Sequence, residues 1–229
     1  MNYPNLSTMS QSFGEKLSLR ISLTELQRRL WHITPGFLPL LLWPISHADP
    51  ISPTLRAILI LIICGIGISI FKGYRRIARS GADSNELSSV AGYAGSVLFT
   101  LLLLPSQIEL GFAVLAILAF GDGTATLGGL LLRGPALVWN REKRLSGLLC
   151  FILFGGFMAS VIYWGEAQNL EAMNNPRVDF RTALMFGFPL AFVCAIVESL
   201  PLKINDNIRV GVTAIAMSVL LHWYLTGWA

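Results

Sequence analysis

Seven apolar runs, at roughly 33–48, 54–71, 89–105, 108–132, 146–164, 182–200 and 210–227, constrain this chain more than any other feature. Most have the ~17–25 residues that a helix needs to cross the hydrocarbon core of a bilayer. The first, interrupted by Pro35, Pro39 and Pro44, is the least regular. Only 13% of residues are charged, against about 25% in ordinary soluble domains, so lipid is the expected solvent. No composition shift divides the chain. The simplest reading is a loose N-terminal tail over 1–22 and one all-α, multi-pass helical membrane domain over 23–229, with about seven transmembrane helices.

The net charge of +4 and pI near 9.2 could suggest a nucleic-acid partner, but the positions of the charges explain them without one. Segments between the runs alternate in basic content. Those on the N-terminal side of the alternation hold 14 of the 17 Lys and Arg residues. By the positive-inside rule the N-terminus and the loops 72–88, 133–145 and 201–209 are cytoplasmic, and the C-terminus is outside. Cys64, Cys150 and Cys194 each fall in a different apolar run without motif spacing, which argues against a disulfide framework and a zinc site. A basic n-region followed by an apolar core is not seen in residues 1–22, so no secretory signal is expected.

Acidic groups inside such runs are costly, roughly 2.5–3.5 kcal/mol each near the middle of a helix, and are usually retained for a task. Asp122 lies in Gly121-Asp122-Gly123-Thr124-Ala125, with Ala125, Thr126 and Gly129 on its helical face. This is either a small-residue packing seam with one buried acid or a carboxylate that holds Mg²⁺ together with substrate phosphates. Next comes the basic group Asn140-Arg141-Glu142-Lys143-Arg144, which can enforce topology or meet a triphosphate. Glu198 precedes Pro201, and Asn205-Asp206-Asn207 forms the following turn on the same side. Glu25, Arg28, Arg29 and His32 stand at i, i+3, i+4 and i+7, on one face of a short helix opened by Ser22. That helix is expected at the inner surface, as a solvated face or as part of the site. A Walker A loop is absent, which excludes a P-loop kinase. His222, Trp223, Tyr224 and Trp228 read as an interfacial aromatic belt, with His47 also interfacial.

In this order the elements resemble the polyprenol kinase family, which includes phytol, farnesol and dolichol kinases and the CTP-dependent diacylglycerol kinase. The resemblance covers about Glu25 to Val210. Its most specific parts are Gly121-Asp122-Gly123-x-Ala125-x-x-x-Gly129, Asn140-Arg141-x-Lys143, and Val197-Glu198-Ser199-Leu200-Pro201 with Asp206-Asn207; the phytol kinase branch is nearest. The chain departs from the pattern at Ser146 and Leu148, where the family usually has Glu and Ser, and at Gly211, where it usually has Pro.

The resemblance implies transfer of a γ-phosphoryl group, with CTP the implied donor, to the hydroxyl of a membrane isoprenoid alcohol. It implies catalytic Asp122, Glu198 and Asp206, with Mg²⁺ on Asp122 and Asp206. Nucleotide contacts are implied for Gly121, Gly123, Gly129, Lys143, Arg144 and Asn207, and Glu25, Arg28, Arg29 and His32 would support the cytoplasmic face. A cytidylyltransferase acting on a lipid phosphate and a transporter using Asp122 and Glu198 as ion sites are the alternatives. The topology is independent of the family. Reporter fusions are expected to put residue 140 inside and residue 170 outside; finding both on one side overturns the alternation.

Overall fold

Ser22 opens the first helix as the capping pattern predicts. Its Oγ accepts from the Glu25 N–H at 3.2 Å, and α1 runs over Leu23–Ile33. A tight turn, Thr34–Phe37, and a short helix α2, Leu38–Leu42, follow, with Pro35 and Pro39 at helix starts where a missing N–H costs nothing. The first apolar run is thus bent at its prolines rather than one continuous helix. The computed structural model describes residues 22–43, 52–77, 83–105, 107–168 and 178–227. The expected tail before Ser22, His47, part of the loop 72–88, the middle of the outer loop and Trp228 lie outside the described residues.

The remaining helices are α3 (Pro53–Ile77), α4 (Asp83–Leu103), α5 (Ile108–Leu132), α6 (Leu145–Ala167), α7 (Phe180–Ser199) and α8 (Asp206–Thr226). By length and composition α5 to α8 are long and apolar enough to cross a membrane, and α3 and α4 carry shorter apolar stretches. The chain is an all-α membrane-type bundle. Its centre is α5, whose residues from Ile108 to Asp122 are all buried, while α6, α7 and α8 leave apolar side chains such as Phe154, Phe192 and Leu220 on the outside.

Glycine decides how closely these helices approach. Helices α5 and α6 each contain a π-helical stretch, Ile117–Asp122 and Phe151–Gly155, and they cross there. A Cβ on Gly155 would stand 2.9 Å from Gly121 Cα, and one on Gly121 would stand 2.6 Å from the Phe151 ring. Further along the seam, Gly128 faces Cys150 and Gly147 faces the Ala125 carbonyl. Because lipid tails are as apolar as leucine, close backbone packing of this kind supplies much of the attraction between helices in a membrane. Gly211 has the same use: a side chain there would collide with Ser96 of α4, which accounts for an unbranched residue where the resembled pattern has Pro.

One polar cluster lies away from the motifs singled out in the sequence. Tyr163 of α6, stacked on Phe186, shares a 2.9 Å hydrogen bond with His222 Nδ1 of α8. Glu109 of α5 lies 3.8 Å from that nitrogen. His222 is only 2% exposed, which corrects its reading as an interfacial residue: the helix turns it inward while Trp223 and Tyr224 remain outside.

Gly155→Ala is expected to lower stability by about 1–3 kcal/mol, since the added methyl meets backbone that cannot move cheaply. Gly65→Ala, with nothing within 4 Å of the added carbon, is expected to be neutral or stabilising. Thermal unfolding of the two variants in one detergent checks the difference.

Candidate functional site

The basic segment after α5 is a compact hairpin. Arg133 ends α5 in the left-handed conformation, φ 48° and ψ 43°, and the chain reverses so that Leu137 N–H donates to Lys143 O and Leu145 N–H to Pro135 O, both at 2.9 Å. The Asn140 side chain closes the turn by accepting from Glu142 N–H at 3.1 Å. It also pins the hairpin to the end of α7, donating to the Ser199 carbonyl at 3.0 Å, and Trp139 Nε1 donates to Ser199 Oγ at 2.9 Å. The attachment aims Lys143 at Glu198, one residue before Ser199. The Lys143 ammonium bonds Glu198 Oε1 and, at 2.9 Å, Asp206 Oδ2.

Leu200 precedes Pro201 and is extended, so α7 stops. Arg209 of α8 adds side-chain donors to the carbonyls at this end. That guanidinium donates to Val197 O at 2.8 Å, to Leu200 O at 3.1 Å and to Ile204 O at 3.0 Å, and it also pairs with Asp206 Oδ1. Both oxygens of Asp206 are therefore engaged by cations. Asn205 caps α8 by accepting from Asn207 N–H at 3.0 Å.

Asp122 meets its hydrogen-bond partner from α1. His32 Nε2 is 3.1 Å from Asp122 Oδ2 and 3.0 Å from the Leu118 carbonyl. A carbonyl can only accept, so Nε2 carries the proton and is shared between the two oxygens. The π-helical turn matters here, because the Gly123 N–H bonds the Ala119 and Phe120 carbonyls while His32 reaches Leu118. Tyr93 fixes the imidazole edge-on, with ring centroids 4.9 Å apart, and donates to the His32 carbonyl at 3.3 Å. Helix α1 is thus docked on α5, with Ile33 filling the place that a Gly123 side chain would take. Glu25 holds Arg28 and Arg29 at 2.6 and 3.0 Å.

These pieces surround one cavity of about 440 Å³. Asp122, Gly129, Lys143, Arg144, Glu198, Asp206, Asn207 and Arg29 line it. Glu25 and Arg28 stand behind Arg29, and His32 behind Asp122. Gly121 and Gly123, expected at the nucleotide, instead face Phe151 and Ile33; their missing side chains serve helix packing, and only Gly129 of the three opens on the cavity. Sequence reasoning missed Arg209 and Trp139. The i, i+3 spacing of Asp206 and Arg209 was the available signal for the first, and nothing local marked the second.

Among the described residues no three His, Cys, Asp or Glu side chains cluster as a ready metal cage. A hard cation held by one or two carboxylates plus substrate phosphates needs none. Asp122 and Glu198, which line the same cavity, fit that arrangement. Asp206, with both oxygens engaged, fits it poorly.

The chain aligns with plant proteins over most of its length. It is 29% identical over 220 residues to "Probable phytol kinase 2, chloroplastic" of Oryza sativa subsp. japonica, covering 91% of this chain and 70% of that protein. The chain is 26% identical to "Probable phytol kinase 1, chloroplastic" of Glycine max, with 91% and 70% covered. "Phytol kinase 1, chloroplastic" of Arabidopsis thaliana is also 26% identical, with 93% and 72% covered. Over nine-tenths of its length the chain is thus similar to plant phytol kinases. No family model and no solved structure matches it. The cavity residues come from separated segments of the chain that only the fold brings together.

Burial pushes the Lys143 ammonium down, but the carboxylates of Glu198 and Asp206 outweigh it and hold the pKa above the ordinary lysine value. A raised lysine contributes its stability in full below the ordinary range and loses it as pH climbs through the higher folded value. Stability is expected to persist to about pH 10 and to decline above it, less steeply in Lys143→Met. Melting temperature against pH for the two proteins checks this.

Proposed function

We propose that the protein is a lipid-alcohol kinase that transfers the γ-phosphoryl group of CTP to the hydroxyl of a membrane isoprenoid alcohol, phytol or a relative of it. The observation that carries this reading is the convergence of Asp122, Lys143, Glu198 and Arg29, from four separate segments, on one cavity at one end of an apolar bundle. Phosphoryl transfer needs alignment and charge neutralisation more than covalent help. A water-soluble donor and a bilayer-borne acceptor meet only at a membrane face. The reading includes seven spans, a cytoplasmic N-terminus and a cavity open to the cytoplasm, supported by the basic residues of the 133–145 hairpin.

Each residue then has a task. Lys143, Arg144 and Arg29 bind phosphate oxygens as point charge and forked donors. Asp206, clamped by Arg209, keeps Lys143 over the cavity. Asp122, with Glu198 beside it, would hold Mg²⁺, which would supply neutralising charge to the phosphates. The alcohol oxygen bonds the γ-phosphorus, the bond from that phosphorus to the β–γ bridging oxygen breaks, and CDP leaves. The hydroxyl proton passes to Glu198, the carboxylate nearest the ammonium that meets the phosphates. His32 keeps Asp122 oriented from behind.

Purified protein given Mg²⁺, CTP and a panel of lipid alcohols is expected to yield the monophosphate and CDP. Release of pyrophosphate from a lipid phosphate would replace this reading with nucleotidyl transfer, and an ATP rate at least tenfold above the CTP rate would overturn the donor. Asp122→Asn keeps size and removes charge, so it is expected to insert normally and to lose at least ~10²-fold in transfer rate. Glu25→Gln is expected to lose less, because it acts only through Arg28 and Arg29. Near-normal turnover by Asp122→Asn would make Asp122 a packing residue.

A further inference from the structure

The cavity has two unlike walls. One, built by the hairpin and the α7–α8 turn, presents Lys143, Glu198, Asn205 and Asp206; the other, built by α5 and α6, presents an apolar patch of Ala125, Gly129, Leu130 and Leu148 beside Asp122 and Thr126. We propose that this apolar wall seats the first isoprene unit of the acceptor alcohol, with Gly129 setting the bulk allowed beside the hydroxyl. The proposal rests on the lipid-alcohol kinase reading and names a subsite within it.

Two observations select the alcohol over the nucleotide base for this wall. Leu130 both lines the cavity and stands 36% exposed on a helix long enough to span a membrane. Near it, at the same end of α5 and α6, Leu132 and Leu149 are exposed. The apolar wall is therefore continuous with the lipid-facing surface, a route open to a molecule dissolved in the bilayer and closed to a triphosphate. The polar wall is made of the loops that face water.

Gly129 differs from its neighbours in the seam. Gly128 and Gly147 lack side chains because Cys150 and the Ala125 carbonyl occupy the space. At Gly129 nothing lies within 4 Å of an added Cβ, so no packing partner accounts for the glycine and a side chain there would project into the cavity. It lies seven residues from Asp122, about 10 Å along the helix and on the same face. The hydroxyl end of the alcohol enters beside Gly129 while the rest of the hydrocarbon stays in lipid at Leu130. Two consequences follow: total chain length should matter little, and branching next to the hydroxyl should matter much.

The test uses the full chain in nanodiscs, with CTP and three alcohols: short and long 3-methyl-branched isoprenoid alcohols, and an unbranched fatty alcohol. The wild type is expected to use the two isoprenoids within about threefold of each other in kcat/KM. Gly129→Leu, whose Cβ has no protein atom within 4 Å, should melt like the wild type and raise KM for both isoprenoid alcohols at least about tenfold, the scale of steric discrimination in an apolar pocket. KM for CTP should stay within about twofold, and the unbranched alcohol should suffer less. A CTP KM that rises as much as the alcohol's would assign the wall to the base and overturn the proposal, as would an unchanged alcohol KM. A diazirine-bearing isoprenoid alcohol separates the subsite from the reaction. Labelling of the 125–130 and 148 peptides that falls in Gly129→Leu supports the subsite even if no alcohol is phosphorylated, an outcome that defeats only the kinase reading; labelling elsewhere overturns the subsite.

Discussion

Carboxylates withdrawn from water inside a lipid-facing bundle must each find a cation or a hydrogen-bond donor, and that requirement organises the end of this protein that holds the cavity. Asp122 finds His32, and Glu198 finds Lys143. An uncompensated buried charge costs several kcal/mol, more than most single contacts return. The two partners come from segments outside the four long spans. The demand for polar partners therefore draws α1 against α5 and holds the basic hairpin over the end of α7. Trp139 and Asn140, by fastening the hairpin to Ser199, fix where the ammonium can reach.

Helix packing sets how deep the site can lie. The π-helical stretches of α5 and α6 face each other across Gly121 and Gly155, and such insertions change which side of a helix the following residues present. Asp122 is the last residue of one of them. Regular helix through 117–122 would rotate Asp122 and everything after it relative to the buried first half of α5. The placement of the acid against His32, and of Gly129 on the cavity, depends on that offset.

The acids, the basic hairpin and the fold class were legible in the sequence because charge in an apolar run, and its alternation between runs, have few bland explanations. Asp122, Lys143, Glu198, Asp206 and Arg29 converge from positions that the motifs marked. What stayed hidden were distinctions that residue type does not encode. Gly121, Gly123 and Gly129 look alike in one motif, yet two serve packing and one serves space. His222 was misjudged from its aromatic neighbours, although the roughly 100° between successive residues of a helix separates it from Trp223. Arg209 was counted as a topological charge while it holds the end of α7 and Asp206 together. The π-helical turns, being offsets in hydrogen bonding, leave no compositional trace.

The charges lining the cavity bear on how a triphosphate is received. Arg29, Lys143 and Arg144 are set against Asp122, Glu142, Glu198 and Asp206, so the protein alone presents no surplus of positive charge. Lys143 is moreover already engaged by two carboxylates. On the proposed function, a polyanion entering this space binds only if it brings cationic charge with it, and binding then reassigns partners rather than filling a basic funnel. Affinity for the nucleotide should rise and fall with the divalent ion, and mutation of Arg29 or Arg144 alone should weaken it only modestly. On the proposed function, the neutralised phosphate chain lies along the wall that carries Lys143, Glu198 and Asp206, and the hydrocarbon from the bilayer meets the apolar patch beside Asp122.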